Sequence, residues 1–282
     1  IVPQMTSTTN GAHDDINYEM DTSLIVHDGE TFFNQVDNPL SAKDFLKVAL
    51  WITNRYKKLD YAALVFGAAS EYPQCFAVDR AAEKRRIIAE SLPRMDPTAE
   101  ILDPRAFCPA GGASFIAGKY HELNEFIAQP SFEEIAAANH TSALATDISG
   151  GWGIHGPRAI KPIRESLAAC IQAHKDDLYE HEQEPMAYNP AAVEMAIANW
   201  HARCIPTGTI HFDRATLWGG EPRELKISMD DSAFMRCVMG LQNWNQTISG
   251  SLCQVDRTPN EHFPNDLFSL NFFTTQALRM AA

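Results

Sequence analysis

Asp176-Asp-Leu-Tyr-Glu180 sets three carboxylates within five residues, and Asn265-Asp-Leu-Phe-Ser269 sets an amide, a carboxylate and a hydroxyl in a second short run. On helices such runs present hard oxygen donors on one turn, the arrangement by which Mg²⁺ holds a diphosphate. An acidic chain also places carboxylates of this kind on solvated helix faces, and here 36 Asp and Glu stand against 23 Lys and Arg, a net charge of −13. The solvated face with no cofactor is the reading adopted. A Mg²⁺ site at Asp176, Asp177 and Glu180 is its alternative.

Other groupings of chemical residues are thinner. His211 and Asp213 alternate on an expected strand and so share a face, and with His262 they have the composition of a two-His-one-carboxylate iron site. A surface hairpin explains the same residues. There is no Gly-x-Ser-x-Gly, no phosphate-binding Gly-rich loop ending in Lys-Ser/Thr and no Gly-x-Gly-x-x-Gly that follows a strand. Arg158, Lys161 and Arg164 surround an expected helix start, where unpaired N–H groups favour an anion. Ser142, Thr141 and Trp152 lie just upstream and supply hydroxyls and a stacking surface, so this is the candidate groove for single-stranded nucleic acid.

Composition bounds the class. The 282 residues are 45% hydrophobic and 21% charged, enough apolar content for a packed core of one large or two small domains. The acidic balance disfavours nonspecific attraction to nucleic acid or anionic lipid, so any such partner must meet a local basic surface. No apolar run approaches the roughly 18–20 residues of a membrane span, the longest being Tyr61-Ala-Ala-Leu-Val-Phe-Gly-Ala-Ala69. No membrane partner is expected. Residues 1–10 lack the basic-then-apolar order of a signal peptide. The six cysteines are scattered without Cys-x-x-Cys, which favours buried free thiols over disulfides or zinc.

The elements that position these groups read as mainly α: a helical core with a small β-hairpin at about 209–229 and an extended N-terminal arm. Residues 1–40 form the arm, 41–260 the core with a subdomain break near 93–112, and 261–282 a C-terminal tail. Ser41 with Asp44 opens a helix whose face carries Phe45, Val48, Ala49 and Ile52. A second apolar run covers Leu59–Ala69, a third helix Asp79–Leu92, and Pro93, Pro97 and Pro104 mark a connector. Further helices are expected over Ser114–Ala128, from the capping box Ser131-Phe-Glu-Glu134 to Asn139, and from Lys161-Pro162 to about Gln183 along Ile163, Leu167, Ile171, His174 and Leu178. Asn189-Pro190 opens another, Thr209–Trp218 and Arg223–Met229 pair as the hairpin, and Asp231 caps a last helix before the apolar tail.

Two resemblances attach to these residues. The runs at 176–180 and 265–269 resemble the aspartate-rich and Asn/Ser/Glu boxes of class I terpene cyclases, which implies Mg²⁺-dependent diphosphate chemistry; where that family places its last acidic ligand this chain has Phe273. Asn139-His-Thr-Ser142 and Asp147-Ile-Ser-Gly-Gly-Trp152, followed by Lys161-Pro-Ile163, Ala173-His174 and Glu184-Pro-Met186, resemble the coat proteins of flexuous filamentous plant viruses of the potyvirus type. That resemblance covers about fifty residues in the middle of the chain. It implies a helical core, arms that bridge neighbouring subunits, and a pocket of Ser, Arg and Asp for single-stranded RNA. Ser142 matches the first and Asp213 the last, while Glu182-Gln183 stand where the Arg falls. The expectation is a self-assembling structural subunit, most concretely a viral coat or nucleocapsid protein packaging single-stranded RNA in a virion. Its partners are copies of itself and RNA. A cytoplasmic enzyme or a helical interaction module stands as the alternative.

Overall fold

The computed structural model describes residues 2–3, 22–35, 40–65, 71–110, 115–145, 167–199, 203–205, 209–212, 223–258, 270 and 273–275. The chain divides into two compact units: residues 1–69, 84–114 and 128–166 in the first, and 70–83, 115–127 and 167–282 in the second.

The first unit contains β1 (Val2–Pro3), β2 (Thr22–Asp28), β3 (Glu30–Asn34), α1 (Ala42–Tyr56), β4 (Leu59–Val65), part of α2 (Arg80–Ser91), α3 (Met95–Leu102), β5 (Pro104–Ala110), α4 (Phe132–Ala138) and β6 (Leu144–Ala145). The strands lie side by side in chain order. β2 and β3 form an antiparallel hairpin turned at Gly29, whose φ of 76° suits a residue without Cβ. β3, β4, β5 and β6 then run parallel. Because each crossover adds its strand on the same side of the last, right-handed connections put the intervening helices on one face. Phe45, Val48 and Ile52 of α1, Met95, Ala99 and Leu102 of α3, and Ile135 of α4 accordingly share one core with Phe33, Ala62, Leu64 and Phe107 of the strands.

Register fixes this core. Ile25 pairs with Phe33, Phe33 with Ala62, Ala62 with Phe107 and Phe107 with Ala145, so one row crosses five strands, and large and small side chains alternate along it from Phe33 to Ala145. The fully buried carboxylate of Asp60 accepts the Thr31 N–H at 2.9 Å and pairs with Lys58 at 2.6 Å, tying β3 to β4 near their starts. Burial works to raise its pKa, but Lys58 and the Thr31 N–H outweigh that and hold the carboxyl below its ordinary range.

The second unit contains a 3₁₀ segment (Gly118–Phe126), α5 (Leu167–His174), α6 (Glu180–Gln183), α7 (Pro190–Asn199), β7 (Arg203–Ile205), β8 (Thr209–Phe212), β9 (Arg223–Met229), α8 (Asp231–Val238), α9 (Trp244–Ser249) and β10 (Cys253–Thr258). Its four-stranded antiparallel sheet has the order β10-β9-β8-β7. Trp244, Phe234 and Phe273 pack with their rings edge-on or tilted at centroid distances of 6.1–6.2 Å, and the Trp244 indole N–H donates to the Phe273 carbonyl at 3.1 Å. Leu270, Met235, Val255 and Val193 complete this core.

These findings overturn the mainly α expectation. The apolar run from Leu59 is a parallel strand buried on both sides, and short apolar runs do not distinguish such strands from helices. Within the expected arm, the runs Thr22–Val26 and Thr31–Phe33, whose residue types have strand character, lie in β2 and β3 of the core sheet and not in an extended arm, and the proline-rich connector contains β5, whose Pro104 occupies the first position, where a strand tolerates it. The pairing expected at 209–229 exists inside a larger sheet. Ser114–Ala128 is not an α-helix: Gly118 has φ 63°, and Asn124 turns its side chain onto the backbone of Ile116 and His121. The long helix to Gln183 ends at His174, because Tyr179 is extended and its hydroxyl donates to the Ala117 carbonyl. Among the described residues no helix is long and apolar enough to cross a membrane.

The alternating row makes a two-sided prediction for urea unfolding of the whole chain. Phe107→Ala should cost about 3–5 kcal/mol by opening a cavity. Ala62→Leu should also destabilise, by about 1–3 kcal/mol, because Phe33 and Phe107 flank it. A neutral Ala62→Leu would show that the row is not close-packed.

Candidate interaction surface

α1 has two apolar stripes with different fates. Ser41 caps it, its Oγ accepting the Asp44 N–H at 3.2 Å and donating to the Asp44 carboxylate at 2.7 Å. Phe45, Val48 and Ile52 enter the core. Leu46, Leu50 and Trp51 point outward and are 51%, 56% and 49% exposed. Lys43, Leu46, Lys47 and Leu50 follow one another at i, i+3, i+4 and i+7, so the outer stripe is both basic and apolar.

Its end is aromatic and held in place. Arg55 lies over the Trp51 and Tyr56 rings at 5.8 and 5.7 Å, Trp51 meets Tyr56 edge-on, and the Tyr56 ring stacks on His27 at 4.4 Å. From Lys43 to Lys58 the chain carries five Lys and Arg against the single acid Asp44, which is buried and paired with Lys47 at 2.7 Å. This is a local reversal of the sign of the whole molecule.

The second unit holds the densest polar network. Lys119 pairs with Glu182 at 3.0 Å and with Asp230, whose carboxylate also meets His181 Nε2 at 3.1 Å. His181 is buried, its ring stacked on Tyr179, which stacks in turn on Tyr120. With Nε2–H directed at Asp230, the buried Nδ1 of His181 has no hydrogen-bond partner among the described residues. Burial pushes Asp230 and Glu182 up, but Lys119 with His181 in one case, and the Tyr179 N–H with Lys119 in the other, bring both carboxyls below their ordinary range. Burial lowers Lys119, and its two carboxylate partners outweigh this and raise it well above the usual lysine range. Burial pushes Tyr179 up to about 12. Lys119 already neutralises the carboxylates where a metal ion would sit, so the network reads as a lock on α6 and α8.

The residues singled out from sequence do not converge. Asp177 bonds to His174 at 2.8 Å, Glu180 pairs with Arg236, and Asp176 is exposed. Among the described residues no group of three His, Cys, Asp or Glu is placed to hold a metal ion. Phe273 is fully buried against Trp244, while Asn265, Ser269, Asp213 and His262 lie outside the described residues. Ser142 is exposed in a turn organised by Asn139, whose Oδ1 accepts from Thr141 and whose Nδ2 donates to the Ala143 carbonyl, leading the chain into β6. Arg158, Lys161, Arg164 and Trp152 lie outside the described residues. Cys75, Cys237 and Cys253 are free buried thiols, pushed by desolvation to about 12, to about 11 and well above the ordinary value.

Sequence reading registered the inner stripe of α1 and passed over the outer one, although Leu46, Leu50 and Trp51 stand between lysines in plain view. The Lys119 network had no local signal, since its members lie at 119, 181, 182 and 230. Compared with protein families, curated proteins and solved structures, the chain matches none.

The Lys119 network predicts a pH signature. Asp230 and Glu182 have lowered folded pKa values, so their stabilisation is complete above about pH 4–5 and is lost as pH falls through the folded values. Lys119 is raised, so its share is present below about pH 10 and is lost as pH rises through its folded value. The unfolding free energy of the native chain minus that of Lys119→Met should therefore be flat from about pH 5 to 9 and shrink on the acid side. Since Lys119 is 38% exposed, screening limits the difference to about 1 kcal/mol. A difference that grows on acidification would contradict the assignment.

Proposed function

We propose that this protein is a structural, self-associating subunit. The observation that carries the reading is the outer stripe of α1, where two leucines and a tryptophan, each about half exposed, stand among lysines on a helix whose other side is already buried. Apolar groups concentrated in this way mark an association site, and aromatic and arginine side chains are those most often at the centre of one. A copy of a chain with net charge −13 supplies the acidic partner that such a basic face attracts.

The more concrete form of this role is a viral coat or nucleocapsid subunit packaging single-stranded RNA. Its support is the resemblance carried by Asn139–Ser142 and the residues after it, together with the exposure of Ser142. The fold differs from the helical core which that resemblance implies, so the self-association reading stands on α1 and the RNA reading on sequence.

Light scattering of the purified full chain across a concentration series should show a mass rising above that of the 31.4 kDa monomer. Leu50→Asp should move this rise to at least about tenfold higher protein concentration without changing the circular dichroism spectrum. A monomer at every concentration would overturn the proposal. Electron micrographs of filaments or shells, with an absorbance ratio showing co-purified nucleic acid, would support the coat form; assemblies free of nucleic acid would exclude it.

A further inference from the structure

We infer that the surface that receives α1 is the carboxylate-rich stretch Asp176–Met195 of a second copy. The inference rests on the self-association reading and specifies its geometry. Residues 176–195 contain six Asp and Glu and no Lys or Arg; Glu180 and Glu184 meet Arg236 and Glu182 meets Lys119, so Asp176, Asp177 and Glu194 carry the charge that the stretch turns outward. Leu178, Tyr188 and Met195 are exposed in this stretch by 61%, 42% and 54%, so it offers apolar area among acids, as α1 offers apolar area among bases.

The stretch is also firmly mounted. Its inner side is fastened to α8: Ser232 Oγ donates to the His181 carbonyl at 2.9 Å and accepts the Met186 N–H at 2.8 Å, His181 meets Asp230, and Arg236 pairs with Glu180. Fixing the backbone from that side leaves Asp176, Leu178, Tyr188, Glu194 and Met195 facing outward. A partner therefore meets a preorganised surface, which lowers the entropic cost of docking.

Each copy carries both surfaces, so two copies can exchange both contacts across a two-fold axis, or each contact can pass to a further copy and build a ring or a filament.

Charge reversal on the full chain tests this. Lys43→Glu with Lys57→Glu, and separately Asp176→Lys with Glu194→Lys, should each raise the concentration for assembly by at least about tenfold, because like charges then oppose one another. All four positions are exposed, and unchanged thermal unfolding of each variant checks that it folds. Mixing the two variants should restore assembly, since each reversed surface then meets its complement on the other chain. Species above the monomer should appear in the native chain and in the mixture. If the lysine variant dissociates while the Asp176/Glu194 variant assembles normally, or if mixing restores nothing, α1 docks elsewhere and the inference is wrong while self-association survives. A native chain that stays monomeric yet binds phosphatidylserine vesicles through Trp51, seen as a fluorescence change lost in Trp51→Ser, would overturn both.

Discussion

The first unit depends on one row of side chains. Ile25, Phe33, Ala62, Phe107 and Ala145 lie in register across five strands, and the alternation of ring and methyl from Phe33 to Ala145 gives the helices a surface of ridges and hollows to seat on. The seat for α1 comes from this row: Val48 and Ile52 pack in the same core as Phe33 and Ala62. Because the inner stripe is committed there, the outward direction of Leu46, Leu50 and Trp51 follows from helix geometry. The exposed stripe is thus a consequence of the buried one.

The second unit uses a different device. Its aromatic core at Trp244, Phe234 and Phe273 is conventional, but α6 is only four residues long and has little propensity to stand alone. Side chains hold it: Lys119 between Glu182 and Asp230, His181 on Asp230, and Arg236 on Glu180. Gly118 sits against this segment, and a Cβ there would come within 2.8 Å of the Asp177 carbonyl, which explains a glycine with φ 63° at that point. The result is a polar seam that orders an otherwise irregular acidic stretch.

What was legible in the sequence was local. The Ser41 cap and the Ser131 capping box were readable because their partners lie three residues away, and both are present. The parallel sheet was not readable, since strand pairing joins residues such as Phe33, Ala62 and Phe107 that lie tens of positions apart and leaves only short apolar runs behind. The amphipathic spacing from Ile163 to Leu178 misled for a related reason: Leu178 is 61% exposed, and the chain turns there because Tyr179 finds its partner at Ala117. The candidate ligands fared likewise. Asp177 and Glu180 are neighbours in sequence, yet one turns to His174 and the other to Arg236.

Cys75, Cys237 and Cys253 give the second unit an internal clock. Their thiols are sealed in the core, and burial keeps each far from the thiolate form that reacts with alkylating reagents. Cys75 belongs to the segment whose carbonyl accepts the Val255 N–H at 2.7 Å beside β10, and Cys237 to α8. An alkylating reagent therefore reaches these three sulfurs only when strand and helix come apart, so the rate at which they are modified reports how often the core breathes.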